Sequence, residues 1–180
     1  MGACTVNSVT RPSAAARACD TRILCLGNEL LADDSFGHVV ADHLRPYATP
    51  ETEIVSTPEA GFHLLDYVLD TRRLVVVDSV LTGKAPVGTI YVLREDELSV
   101  VTGGSPHYVG LHESLLLART LSLPVAKEVI IVAAEIADCT TLGGKMHSDL
   151  RTVIPEVVRI VRSITESGKS VPTQSSAPTL

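Results

Sequence analysis

Short, nearly unbroken apolar runs alternate with longer amphipathic stretches along this chain. The runs at 22–27, 74–79 and 128–135 are typical of strands buried on both faces of a parallel sheet. The segment at 53–57 predicts a further, short strand. The alternating run at 88–94 follows a connection too short for a helical crossover, so it predicts an antiparallel strand at the edge of the sheet.

Apolar residues at helical spacing lie between and after these strands. The predicted helices cover 35–46, 62–69, 111–121 and 148–166. Alternation of strands and helices predicts an α/β fold, a three-layer α/β/α sandwich whose mostly parallel five-stranded sheet carries one antiparallel strand. Small and polar residues at 1–20 and 167–180 predict flexible tails around a single domain at 21–166.

Composition narrows the function classes. The chain has 180 residues, 45% of them hydrophobic and 20% charged, which suits one globular core. With 3% aromatic residues, no Trp and a net charge of -6, we expect no nucleic-acid partner. No apolar run approaches the roughly 18 residues of a membrane span, and no secretory signal is recognisable. The 4 cysteines are irregularly spaced, which fits a reducing cytoplasm.

Candidate chemistry lies where the predicted strands end. In α/β sheets, sites form outside the carboxyl ends of the strands. Asp33 and Asp34 follow the first strand, Asp78 closes the third, and His107 lies in a Gly-rich loop before the third helix. If the first and third strands are neighbours, these side chains meet in one crevice. Two carboxylates and an imidazole would form a site for a divalent transition metal with open coordination positions.

Each of these residues also has a structural interpretation. An Asp at the start of a helix often caps it, so we expect Asp33 to be the cap and Asp34 the ligand. His112 is the alternative imidazole, but it lies inside the predicted third helix. His107 is preferred because a loop can reach into the crevice more easily than a residue within a helix.

Four motifs in this order resemble the nickel–iron hydrogenase maturation endopeptidases. They are G-N-x-L-x-x-D-D-x-x-G at 27–37, G-x-x-L-L at 61–65, V-V-V-D-S at 75–79 and S-P-H at 105–107. The resemblance spans residues 22–166, nearly the whole predicted core. Order and spacing, rather than any single motif, make it specific.

The resemblance implies an endopeptidase that removes the C-terminal extension of a hydrogenase large-subunit precursor after nickel insertion. The implied metal-contacting and catalytic residues are Asp34, Asp78 and His107, and the implied substrate-binding residues are Gly27, Asn28 and Gly61. Nickel would arrive with the substrate and be held weakly by the free enzyme. The partner would be the precursor, with no membrane, and the enzyme is expected to act as a cytoplasmic monomer.

Two other classes share part of the pattern. A receiver-type signalling domain also places an acidic pair after its first strand and a phospho-accepting Asp, here Asp78, at the end of its third. It further needs a hydroxyl residue and a Lys at later strand ends, where this chain has Arg94, Glu95 and Glu135. A peptidyl-tRNA hydrolase also opens with a strand and Gly-Asn, but the acidic balance of this chain argues against a tRNA substrate.

Overall fold

The computed structural model describes residues 19–97 and 106–167, with only the backbone described at 106–108. Its strands are β1 (Cys19–Leu26), β2 (Thr52–Thr57), β3 (Thr71–Val80), β4 (Ile90–Arg94) and β5 (Glu128–Glu135). Its α-helices are α1 (Phe36–Leu44), α2 (Leu65–Val68), α3 (Pro106–Thr120) and α4 (Ser148–Glu166). Short 3-10 turns cover Asp33–Ser35, Arg45–Tyr47 and Gly61–Leu64. Within these residues, no helix is both long and apolar enough to span a membrane.

The strands form one sheet in the order β2-β1-β3-β5-β4. Pairing is parallel between β1 and β2, β1 and β3, and β3 and β5, while β4 runs antiparallel to β5 at the edge. The predicted fold class and the antiparallel edge strand are therefore confirmed. The first and third strands are direct neighbours, as the predicted crevice requires.

Alternation along β3 shows why its apolar run is unbroken. Val75 and Val77 pack in the cluster that contains α1 and α4, whereas Leu74 and Val76 pack in the cluster that contains α2 and α3. Both faces of the sheet are thus covered by helices, and neither face of a central strand can carry the polar residues of a solvated surface.

Arg22, buried on β1, links neighbouring elements at the amino end of the sheet. Its Nε donates to Glu53 Oε2 at 2.7 Å, from the residue directly opposite it on β2. Its Nη1 donates to the carbonyl oxygens of Tyr67 and Leu69, at 2.8 and 2.7 Å. One guanidinium therefore joins two strands to the end of α2, where helix carbonyls lack partners within the helix.

Arg73, buried on β3, repeats this arrangement on the other face. Its Nε donates to Glu128 Oε2 at 2.7 Å, again from the residue opposite it on the neighbouring strand. Its Nη1 donates to the carbonyl oxygens of Ile164 at 2.9 Å and Ser167 at 3.4 Å. The end of α4 is thereby fixed to the centre of the sheet.

Element boundaries differ from expectation mainly at the third helix. The predicted helix at 62–69 is a 3-10 turn followed by the short α2, while β5 and α4 have the predicted bounds. Helix α3 begins at Pro106, five residues earlier than predicted, and proline is favoured in a first helical turn because no amide donor is needed there. Strand β1 begins at Cys19, inside the predicted N-terminal tail. Ser167, in the predicted C-terminal tail, is described as well, and the remaining tail residues, 1–18 and 168–180, lie outside the described residues.

Candidate active site

Two glycines fold the loop after β1 tightly over the end of its own strand. Gly27 has φ +136°, and a Cβ there would collide with the carbonyl oxygen of Asp34. A Cβ at Gly37 would collide with the carbonyl oxygen of Leu26. The first motif therefore brings the start of α1 against the end of β1 at a distance that only glycine allows.

The carboxylate of Asp34 points back across this strand end. Its Oδ2 accepts a hydrogen bond from the Asn28 amide at 2.9 Å, and its Oδ1 accepts one from the Ser79 hydroxyl at 3.0 Å. The side-chain oxygen of Asn28 in turn accepts from the Leu30 amide at 3.0 Å, which holds the turn. Asn28 thus orients the predicted site carboxylate through its backbone and stabilises the loop through its side chain.

Asp78 is buried at the carboxyl end of β3. Its Oδ1 accepts a hydrogen bond from the Ser79 amide at 2.8 Å. Strand alternation places Asp78 on the same face as Val76 and Val80, which belongs to the α2 and α3 side of the sheet. Ser79 points to the other side and reaches Asp34, so this one residue hydrogen-bonds to both carboxylates.

Sequence reasoning overlooked Ser79, although its signal was available. It is a buried hydroxyl residue immediately after the aspartate that closes an apolar strand. A polar residue in that position needs a partner, and the nearest carboxyl-end loop supplies Asp34.

The expected helix-capping role of Asp33 is wrong. The 3-10 turn that begins with Asp33 has no side-chain cap. Asp33 is buried, and its Oδ2 accepts from the amides of Ala137 and Asp138, both at 3.0 Å, while its Oδ1 accepts from the His147 amide at 2.6 Å. The carboxylate therefore fixes the segment between β5 and α4 to the loop that carries Asp34.

The loop after β2 lies against α3. A Cβ at Gly110 would collide with the backbone of Gly61, which itself has φ +62°. The hydroxyl of Ser114 adds a hydrogen bond to the Gly61 carbonyl at 3.4 Å. Gly61 is therefore held next to the first turns of α3, on the face of the sheet that Asp78 also occupies.

His107 is the second residue of α3, about one turn before Gly110. The expectation that it precedes the helix is wrong, because Pro106 already begins the helix. The side chain of His107 lies outside the described residues. His112 is exposed on the same helix.

Among side chains that the structure describes, no group of three or more His, Cys, Asp or Glu residues could hold a metal ion. The imidazole of His107 does not belong to these described side chains. Asp34 and Asp78 contribute carboxylate oxygens, which divalent cations accept as ligands. Each oxygen of Asp34 takes one described hydrogen bond, and a carboxylate offers about four lone-pair positions in all.

A further buried carboxylate, Glu135, lies at the end of β5. It accepts hydrogen bonds from the amides of Thr82 and Gly83, both at 2.8 Å, and from the hydroxyls of Thr82 at 2.7 Å and Tyr91 at 3.0 Å. Burial is the main cause of a raised pKa at Tyr91, and the bond to Glu135 adds to it. Glu135 ends an apolar strand, and Asp78 lies near the end of another. The same sequence pattern, an acidic residue after an apolar run, therefore predicts a buried, hydrogen-bonded carboxylate at both positions.

The cysteines within the described residues are not oxidised to disulfides. Cys25 is buried under α1, and burial raises the pKa of its thiol well above the ordinary value. Cys139 is partly buried and packs against the same cluster. A thiol with a raised pKa is a poor nucleophile, so Cys25 has a structural role.

This sheet order, with two carboxylates linked through Ser79 at its carboxyl end, defines an α/β protein with an acidic site at the strand ends. Residues 38–164 match the family described as HycI, hydrogenase maturation protease. The hydrogenase expression/formation protein HupD of Bradyrhizobium diazoefficiens is 31% identical over 167 residues, covering 88% of this chain and 85% of that protein.

Two Escherichia coli proteins extend this similarity. The hydrogenase 2 maturation protease is 31% identical over 101 residues, covering 54% of this chain and 62% of that protein. The structure of the hydrogenase maturating endopeptidase HybD superposes with a TM-score of 0.72 at 25% identity, covering 83% of this chain and 94% of that one.

The chain belongs to the hydrogenase maturation protease family, and it is a peptidase, a hydrolase. The general role of this family is C-terminal processing of hydrogenase large-subunit precursors. Membership sets aside the receiver-type and peptidyl-tRNA hydrolase interpretations.

Proposed function

We propose that this protein removes the C-terminal extension of a nickel–iron hydrogenase large-subunit precursor after nickel insertion, with Asp34, Asp78 and His107 as its catalytic and metal-contacting residues. The observation that carries the proposal is the Ser79 link. One residue donates to both carboxylates, through its hydroxyl to Asp34 and through its amide to Asp78. Ser79 therefore connects Asp34 to the residue next to Asp78, at the carboxyl end of adjacent strands.

Nickel is part of the substrate in this proposal. Two carboxylates and one imidazole lack the thiolates or fourth protein ligand of a closed structural site, so the free enzyme should hold metal weakly. A nickel ion already held by the precursor would gain these side chains as further ligands. Cleavage would then depend on completed metal insertion, and the extension would be kept until then.

Hydrolysis needs a group that accepts a proton from the attacking water. Asp34 or Asp78 can take that proton and pass it to the leaving amine, so that water adds across the peptide bond. Gly27 would contact the substrate through the tight loop that carries Asp34. At Gly61 the position of a side chain is open, which allows a substrate backbone to approach the loop after β2. The irregular spacing of the 4 cysteines supports a cytoplasmic location for the reaction.

A processing assay tests this proposal directly. The enzyme is treated with chelator, freed of it, and mixed with nickel-loaded or nickel-free precursor from the hydrogenase of the same cells. We expect cleavage of the loaded form only, and a sharp loss with Asp34→Asn. The control is Asp42→Asn, which changes a surface carboxylate on α1 paired with Arg45. Efficient cleavage of the nickel-free form, or tight stoichiometric metal in the isolated enzyme, would contradict the nickel-recognition proposal.

A further inference from the structure

In the part of the chain that the structure describes, four large apolar side chains around the carboxyl end of the sheet are mostly exposed. Their exposed fractions run from 59% at Leu30, through 61% at Phe62 and 63% at Val109, to 73% at Leu142. Leu30 follows β1, Phe62 follows β2, Val109 lies in the first turn of α3, and Leu142 follows β5. Scattered apolar residues are ordinary on a protein surface, but grouped ones mark an interaction site.

Leu30 and Leu142 form the first group, the leucine ledge. The Gly143 amide donates to the Leu30 carbonyl at 2.8 Å, and an isolated antiparallel bridge joins Leu31 to Leu142. The carboxylate of Asp33 fixes the same two segments together from below. The backbone under this ledge is therefore tied at several points and presents its side chains in a fixed position.

Phe62 and Val109 form the second group, the Phe-Val ledge. Each is one residue away from the close contact between Gly61 and Gly110. That contact excludes any side chain between the two backbones, so the loop after β2 packs directly against the start of α3. This ledge lies on the α2 and α3 side of the sheet, opposite the leucine ledge.

The two carboxylates lie between the ledges. Asp34 shares a loop with Leu30, and Ser79 joins it to β3, whose Asp78 faces the side of the Phe-Val ledge. A peptide bond placed over this pair continues in both directions by about 3.3 Å per residue when extended. A chain that runs across this end of the sheet in both directions can therefore reach one ledge on each side of the cleaved bond.

We propose that the leucine ledge and the Phe-Val ledge bind the precursor as an extended segment, with apolar side chains on both sides of the cleaved bond. This inference rests on the proposed function, since it names what covers the surface around the proposed catalytic pair. Burial of the apolar side chains supplies the affinity, and the two carboxylates serve the chemistry of the proposed function.

Steady-state processing of nickel-loaded precursor by Leu142→Gln, Phe62→Gln and the double variant tests this inference. The control is Leu121→Gln, which changes a residue with 57% exposure just beyond the far end of α3. We expect the KM of the double variant to rise about tenfold with little change in kcat, and the control to match the wild type. Because all three positions are exposed, melting temperatures should stay unchanged.

Precursor binding measured in the inactive Asp34→Asn background gives a second readout, in which the double variant should weaken Kd by a similar factor. The inference is overturned if wild-type enzyme cleaves the precursor and the ledge variants match Leu121→Gln in both KM and Kd. If the wild-type enzyme cleaves no hydrogenase precursor at all, the proposed function fails and this inference fails with it.

Discussion

The two ends of the central sheet bury charge in opposite ways. At the amino end, Arg22 and Arg73 each pair with a glutamate on the next strand and with helix carbonyls. At the carboxyl end, Asp33, Asp34 and Glu135 accept hydrogen bonds from amides and hydroxyls, and none of these three forms an ion pair with a described residue. Opposite charges cancel at one end, whereas negative charge accumulates at the other.

This difference indicates that the amino end stabilises the fold and that the carboxyl end can receive a ligand. A buried ion pair with satisfied hydrogen bonds is complete, and loss of one partner leaves an uncompensated charge. Carboxylates held by neutral donors keep a field that favours a cation. We therefore expect substitutions at the amino end to change stability and most of those at the carboxyl end to change activity.

The largest effect is expected for Arg73→Ala at the amino end. It leaves Glu128 without its buried partner and the Ile164 carbonyl without its donor, so the free energy of unfolding should fall by about 3–5 kcal/mol. Its neighbour Arg72 pairs with Asp20 at the surface, so Arg72→Ala should cost less than about 1 kcal/mol. Denaturant unfolding measures both. Equal losses in the two variants would contradict the assigned role of Arg73.

At the carboxyl end, Asp78→Asn should lower processing by about a hundredfold or more, with a melting temperature near that of the wild type. Asparagine keeps the shape and an oxygen for the Ser79 amide but removes the charge. The matched control is Asp66→Asn, an exposed carboxylate on α2, which should process normally. Normal processing by Asp78→Asn would show that Asp78 has a structural role, like the ion pairs of Arg22 and Arg73 at the amino end.

Asp33→Asn tests the comparison between the two ends, because Asp33 lies at the carboxyl end but has a structural role. In Asp33, both carboxylate oxygens accept hydrogen bonds from backbone amides. Asparagine replaces one of these oxygens by an NH2 group, which cannot accept, so the free energy of unfolding should fall by about 1–3 kcal/mol. Activity of the folded fraction should fall less than in Asp34→Asn. Thermal unfolding and kcat/KM separate the two effects, and a large loss of kcat at unchanged stability would reverse the assignment.

The smallest effect concerns Asp138, whose pKa is lowered to about 2 by hydrogen bonds from Thr141 and Thr140. Because the folded pKa lies below the ordinary 3.8, the contribution to stability is present above pH 3.8 and is lost as pH falls toward 2. Asp138→Asn should therefore melt slightly below the wild type near pH 6, and the gap should close near pH 2. A gap that stays constant over this range would contradict the prediction.

Much of this arrangement follows from local sequence patterns. The apolar runs predict β5 and α4 at their observed bounds, and an aspartate that closes an apolar strand identifies Asp78. Adjacency of the first and third strands follows from the usual order of such sheets. These features depend on periodicity and on composition within a few residues.

The features that sequence reasoning missed depend on partners far apart in the chain. Asp33 has the local signature of a helix cap, yet its donors lie more than a hundred residues away. The contact of Gly110 with Gly61 is likewise invisible until α3 is placed against the loop after β2. Tertiary hydrogen bonds and close backbone contacts of this kind produce no periodic pattern in the sequence.

The bond from Arg73 to the end of α4 also bears on how the chain folds as it is synthesised. Arg73 leaves the ribosome long before Ile164 and Ser167, whose carbonyls it needs, and before Glu128. Strands β1, β2 and β3 can associate early, but the guanidinium of Arg73 then lacks the acceptors that it has in the folded protein. Only synthesis of α4 completes this contact, so the nascent chain cannot reach its full stability before Ile164 and Ser167 have left the ribosome.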